Sequence, residues 1–278
     1  MKFGLFGINM RPCVTPEAIA SVAHAAEAAG YDSVWGGEHI LLPDPQSPSW
    51  PMPPLTDFID LTVTIAFAAA NTRTIQFGTG IVIVPLRNPV ILAKQIASLG
   101  VITNERLIFG IGIGNIEPEF NAAGMPFDHK GRRAEESLAL MKALWTMEQP
   151  RFDGRFFSLS GVRAEPRPHK PPPIIFGGKS NYAFSRTARL GDGWFGYALE
   201  LDAAAKCIEE IQRACVQHGR RFEELEISVT PKAPLNLDLA RRYEDLGVQR
   251  LIVSPRVRTA EEMIRFAQET AHGIISVF

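Results

Sequence analysis

Cysteine is scarce in this chain: three in 278 residues, Cys13, Cys207 and Cys215. None has a paired spacing, so a disulfide framework is not expected, and a reducing cytoplasm fits better than secretion. The six histidines show no HxH or HExxH spacing, which leaves no metal constellation. A G-x-S-x-G elbow is missing too, and with it support for Ser-His-Asp catalysis. No apolar run approaches the roughly 18 residues of a membrane span. The chain opens directly on a strand, without a basic leader. A formal net charge of −1 provides no field for nucleic acid or for an anionic membrane surface. Internal repeats and low-complexity tails are absent as well. These absences lead to the expectation of a soluble cytoplasmic protein.

What is present is apolar and rhythmic. At 46% hydrophobic the chain can bury a large core. Short apolar, β-branched runs are predicted as strands at 2–8, 32–36, 75–84, 106–113, 174–178, 193–196, 226–230 and 250–254. Helical patterns with start signals lie between them: Thr15-Pro16, Asn88-Pro89, and Thr259 with Glu262. Leu138, Met141, Leu144 and Trp145 share one face of a long helix at 131–147. Eight strands alternating with helices favour an α/β fold, a closed (β/α)8 TIM barrel in one domain over 1–278. Residues 149–173 are polar, aromatic and proline-rich, and read as an insertion before the fifth strand. Residues 42–54 are a proline-rich loop after the second strand, where barrels place active sites.

Glycines 78, 80, 110, 112 and 114 interrupt two neighbouring strands. Glycine inside a strand is unfavourable unless a bulge or a close backbone approach requires it. Its recurrence at two adjacent strand ends suggests a flat ligand against bare main chain; tight packing inside the barrel is the competing reading. The GxGxG of 110–114 has the wrong spacing for a dinucleotide fingerprint, and no helix follows directly, which excludes a Rossmann domain. At 174–181 a strand, Gly177-Gly178 and a helix start carrying Lys179 and Ser180 make a phosphate site, or simply a turn. His39 ends the second strand at the rim, placed to give or take a proton. Glu38 beside it should point the other way, because side chains alternate along a strand. Phe6, Trp35 and Trp50 are candidate walls of a substrate pocket. Arg163, Arg167, His169 and Lys170 form either a solvated loop face or a contact for an acidic ligand tail.

Taken together these residues resemble the bacterial luciferase-like monooxygenase superfamily, in particular its coenzyme F420-dependent oxidoreductases. The likeness rests on Gly37-Glu38-His39, Gly78-Thr79-Gly80-Ile81 with Arg87-Asn88-Pro89, and the run from Arg106 to Gly114. It continues through Glu119-Phe120, Gly124 to Phe127, and Arg132 to Trp145. Its last parts are Pro173 to Gly178 and Ala188 to Trp194, so it covers most of residues 2–197 in family order.

The resemblance implies a deazaflavin or flavin across the barrel mouth, with a non-proline cis peptide at Gly80–Ile81. Thr79, Gly80, Ile81, Gly112 and Asn115 would surround its ring, Gly177 and Gly178 its phosphate, and His39 would stand near the reactive carbon. It also implies a homodimer through helices beside the early strands. Members that oxidise alcohols or a sugar phosphate carry a glutamate where Asn115 stands; here the carboxylates come later, at Glu117 and Glu119. The function expected is hydride transfer between F420 and an organic substrate. The alternatives are an FMN-dependent monooxygenase using oxygen, a non-catalytic flavin or deazaflavin carrier, and a sugar-phosphate enzyme without redox chemistry.

Overall fold

The computed structural model describes residues 1–278 apart from 47–49 and 51. These fall inside the proline-rich stretch predicted as a loop, and that part of the expectation lies outside the described residues. The chain runs β1 (Lys2–Phe6), α1 (Pro16–Ala28), β2 (Ser33–Gly36), α2 (Leu61–Ala70), β3 (Gln76–Thr79), β4 (Val82–Ile83) and α3 (Pro89–Ile102). It continues with β5 (Leu107–Gly112), α4 (Glu117–Ala122), α5 (Lys130–Thr146), β6 (Phe152–Asp153), β7 (Ser158–Leu159), β8 (Ile174–Gly177) and α6 (Asn181–Leu190). It ends with β9 (Gly193–Leu199), α7 (Leu201–Gln217), β10 (Glu226–Pro231), α8 (Leu237–Asp245), β11 (Arg250–Val253) and α9 (Ala260–Gly273).

Local chemistry starts the helices. Thr15, Asp60, Asn88 and Ser180 each accept a backbone N–H in the first turn of α1, α2, α3 and α6. Each thereby satisfies a donor that the helix itself leaves unpaired. Thr259 and Glu262 form a reciprocal capping box at α9.

The strands pair in parallel around a closed ring, β1-β2-β3-β5-β8-β9-β10-β11 and back to β1. This is the expected TIM barrel, with β4 continuing the third stave. Between the pairs Gly78↔Ile108 and Val82↔Ile111 the third stave advances four residues where β5 advances three. The extra residue is a bulge at Thr79–Ile81, and the Gly80–Ile81 peptide within it is cis. Bulges re-aim side chains at barrel rims; this one turns Ile81 toward the mouth.

Alternation along the strands makes two concentric cores. Outward-facing Phe77, Phe109, Trp194 and Leu251 pack under the helices, against Ile19, Val22 and Ala23 of α1 and Leu138, Met141, Leu144 and Trp145 of α5. Cys13 is buried with them, and burial pushes its thiol up to about 12, as befits a small packing residue. Inward-facing Phe6, Trp35, Ile108, Ile175, Phe195 and Ile252 fill the barrel, with Trp35 stacked 5.5 Å from Phe195. Below them lies fully buried Arg250, which donates to Glu226 at 2.8 Å, to Ser33 Oγ at 2.7 Å and to Gln76 Oε1 at 3.2 Å. Burial works to raise the Glu226 carboxyl, but Arg250 and Lys2 hold it below its ordinary value.

The insertion carries the short β6–β7 hairpin. Its tip docks on α5, where Glu136 accepts from the Arg155 and Phe156 amides at 3.1 and 2.8 Å. The returning segment brings the basic cluster to the amino-terminal end of the barrel. Arg167 donates to the Met147 carbonyl, Arg163 pairs with Glu148, and the Lys170 amide meets Glu105. None of the four lines the mouth cavity, and Arg163, His169 and Lys170 are exposed while Arg167 is half-buried.

Candidate active site

Side chains at the carboxyl ends of the strands enclose a cavity of about 680 Å³. His39, Gly80, Ile81, Gly112, Asn115, Gly177 and Gly178 all line it. Thr79 does not: its side chain is fully buried and its hydroxyl donates to the Gly110 carbonyl at 2.6 Å. It pins the bulge, and the expectation that it touches the ligand is corrected. Trp35 is likewise fully buried beneath the mouth rather than part of its wall.

The glycines serve packing before they serve a ligand. A Cβ on Gly78 would enter the Trp35 ring at 2.2 Å, and one on Gly110 would meet the Thr79 carbonyl oxygen at 1.8 Å. Ile81 occupies the space left by two others: a Cβ on Gly112 would lie 1.8 Å from its Cδ1, and one on Gly177 would lie 3.1 Å from its Cγ2. The cavity therefore meets the half-buried Ile81 side chain, wedged between β5 and β8, where bare main chain was expected. Packing inside the barrel, the competing reading, accounts for most of these glycines.

At one end, β8 leads into α6. Gly178 adopts φ +113°, a conformation that glycine takes without strain. Its carbonyl accepts from Trp194 Nε1 at 2.8 Å, which fixes the turn. Ser180 caps α6, and the helix N-terminus faces the turn with its amides. Lys179, Lys130 and Arg186 line the cavity here. Lys130 stands 3.4 Å over the Phe127 ring, and burial draws its ammonium below the usual lysine value, against the pull of Glu117. Arg186 donates to Glu135 at 2.9 Å. Sequence reasoning found the glycine turn but missed Lys130 and Arg186, which reach the site from helices with no motif to mark them.

At the other end stands His39, between Trp50 and Phe58 with ring centroids at 4.7 and 5.6 Å. Its Nδ1 lies 3.3 Å from Glu119 Oε2. Glu119 is 2% exposed and also accepts the Ile40 amide at 2.7 Å and the Leu41 amide at 3.2 Å. A carboxylate only accepts, so Nδ1 carries the proton and Nε2 is the nitrogen left for chemistry. Glu38 is occupied elsewhere. It accepts the Ile83 amide at 2.6 Å and Arg87 Nε at 2.9 Å, and Arg87 is shared with Asp60. Burial pushes the Glu38 carboxyl up while Arg87 pulls it back. Glu38 thus ties the end of β2 to β4 while lining the same cavity as His39. Among the described residues no cluster of His, Cys, Asp and Glu could hold a metal, and no helix is long and apolar enough to cross a membrane.

A cavity at the carboxyl rim of a parallel barrel, with a glycine turn at one end and a carboxylate-backed histidine at the other, lies where barrel enzymes place their active sites. Comparison with known proteins narrows this. The chain belongs to the luciferase-like monooxygenase family, whose match runs over residues 1–274, and it is an oxidoreductase. An uncharacterised protein of Mycobacterium tuberculosis is 30% identical over 85% of this chain and 84% of its own length. An F420-dependent glucose-6-phosphate dehydrogenase of Amycolatopsis mediterranei is 26% identical over 91% of this chain and 77% of its own. Among solved structures, an F420-dependent secondary alcohol dehydrogenase in complex with an F420-acetone adduct superposes with a TM-score of 0.82, at 16% identity, over 100% of this chain and 99% of that one.

Proposed function

We propose that this protein transfers a hydride between coenzyme F420 and a small organic substrate. One observation carries the reading. A single cavity joins the cationic Gly177–Ser180 turn to His39, with Ile81 between them. A phosphate-bearing tricyclic ring has those three needs: an anion site, an apolar bed and a proton-active group beside the reacting carbon. The two F420-dependent relatives support the choice of deazaflavin.

Gly177, Gly178 and Ser180 would hold the cofactor's phosphate, with Lys130 and Lys179 supplying charge. Ile81, flanked by Gly80 and Gly112, would carry the ring, and Asn115 would meet its edge. When bound, the deazaflavin supplies or accepts the hydride at its C5 carbon. His39 Nε2 exchanges the accompanying proton with the substrate, and Glu119 holds the imidazole in the tautomer this requires. The aromatic wall excludes water from the reacting atoms. The protein would work in the cytoplasm, where its free thiols are stable. It would do so as a homodimer through α2 and α3, whose outward Val63, Phe67, Ile91 and Ile102 are exposed.

Absorption titrations of the purified protein with F420 and with FMN test the cofactor. Saturable binding of F420 at lower concentration than FMN is expected; preference for FMN would move the protein to the oxygen-using branch. His39→Ala should lower turnover by roughly 10²–10⁴-fold and leave F420 affinity close to wild type. Undiminished turnover discards the role of His39.

A further inference from the structure

The cavity is chemically lopsided. The cations that line it, Lys130, Lys179 and Arg186, stand on α5, on the connection from β8 into α6, and on α6 itself. The facing wall is Phe6, Trp50, Met52, Phe58, Phe195 and Tyr197, from β1, the loop after β2, and β9. Its rings touch: Phe6 and Tyr197 are 5.2 Å apart and Phe195 and Tyr197 6.2 Å. Charged groups near this wall already have partners. Glu38 is held by Arg87 and the Ile83 amide, and Arg11 pairs with Asp57. What the wall does offer is one unpaired donor. Trp50 Nε1 is buried with no hydrogen-bond partner among the described residues. His39 Nε2 also has no partner among them, and with the proton on Nδ1 it accepts rather than donates.

We propose that the substrate this wall receives is an uncharged, largely apolar molecule carrying one hydrogen-bond acceptor, and not a sugar phosphate or other anion. The assignment of the cationic end to the cofactor rests on the function proposed above. With that end taken, an anionic substrate would give up its water to aromatic and thioether groups without a compensating cation, which is strongly unfavourable. An apolar molecule gains by displacing water from the same rings. Its one acceptor, a carbonyl-type oxygen, is the natural partner of the Trp50 N–H, for a buried donor left unpaired is unfavourable. Asn115, uncharged at the rim, adds no carboxylate that would favour a hydroxyl substrate.

Calorimetric titration of the F420-loaded protein tests this, with loading read separately by absorbance. The probes are 4-phenyl-2-butanone, its para-carboxylate analogue, and glucose 6-phosphate. The ketone should bind at least about tenfold more tightly than either anion, given the desolvation that an anion meets at this wall. Trp50→Phe keeps the ring and removes the donor, and should weaken the ketone roughly threefold to tenfold. Met52→Lys should bring the carboxylate analogue level with the ketone or past it. Equal or tighter binding of either anion to the wild type, or no saturable binding of the ketone, overturns the proposal. If F420 fails to load while the unloaded protein still prefers the ketone, the cofactor reading falls and the assignment of the apolar wall stands.

Discussion

A methyl group on Gly112 and the Cδ1 of Ile81 cannot share the mouth of this barrel, since a Cβ there would stand 1.8 Å from that carbon. Gly112→Ala should therefore displace Ile81, lower stability by about 1–3 kcal/mol as overpacked cores do, and weaken cofactor binding several-fold. Denaturant unfolding and a cofactor titration measure the two effects; a variant with wild-type values in both would remove Ile81 as the bed of the ring. Single residues also show where reading a sequence stops. The place of His39 at the rim was legible because loops that follow barrel strands carry chemistry. But β2 ends at Gly36, so strand alternation does not separate His39 from Glu38, and both line the cavity. Glu119 behind His39 was not legible, because the contact joins residues 80 positions apart and only the closed ring of strands brings them together. Thr79 looked like a ligand contact by its place in the motif; the bulge turned its hydroxyl onto Gly110 instead.

Elements were more legible than contacts. α3 and α6 start where the sequence marks them, since Asn88-Pro89 and the N-cap Ser180 act within one turn of chain. The third stave was expected as one strand over 75–84, because the apolar run continues through the break and a bulge has no period. α4 was expected as loop, and its six residues are too few to show a stripe. Between elements, Glu27 of α1 organises the approach to β3 by accepting the Arg73, Thr74 and Ile75 amides. Burial alone would raise its carboxyl, but these bonds bring it from 4.5 down to about 2. A carboxyl depressed in the folded state contributes stability above its ordinary value and loses it as acid protonates it. The thermal midpoint of the wild type should thus fall between pH 4.5 and about 2, with a slope that Glu27→Gln flattens. An unchanged slope in a midpoint-against-pH series would show that the carboxylate is not what the amides need.

For the molecule as a whole, the telling surface is on α2 and α3. Val63 and Ile91 are each 60% exposed and Ile102 is 55% exposed, on neighbouring helices that carry apolar residues on their outer faces as well. Contiguous exposed apolar area of this kind marks association. Sedimentation of the wild type should show a dimer, and Phe67→Asp with Ile91→Asp a monomer that still binds cofactor. A wild-type monomer at tens of micromolar, roughly the range in which a specific interface of standard size is populated, refutes the interface. The far end of the barrel has a quieter consequence. Arg250, Glu226, Ser33 and Gln76 plug its foot and Trp35 is seated above them, so among the described residues side chains fill the axis beneath His39. Every proton that the imidazole trades with bulk solvent must travel by way of the mouth. A ligand lodged there is then also a stopper, and while it stays the histidine has only that ligand to trade a proton with.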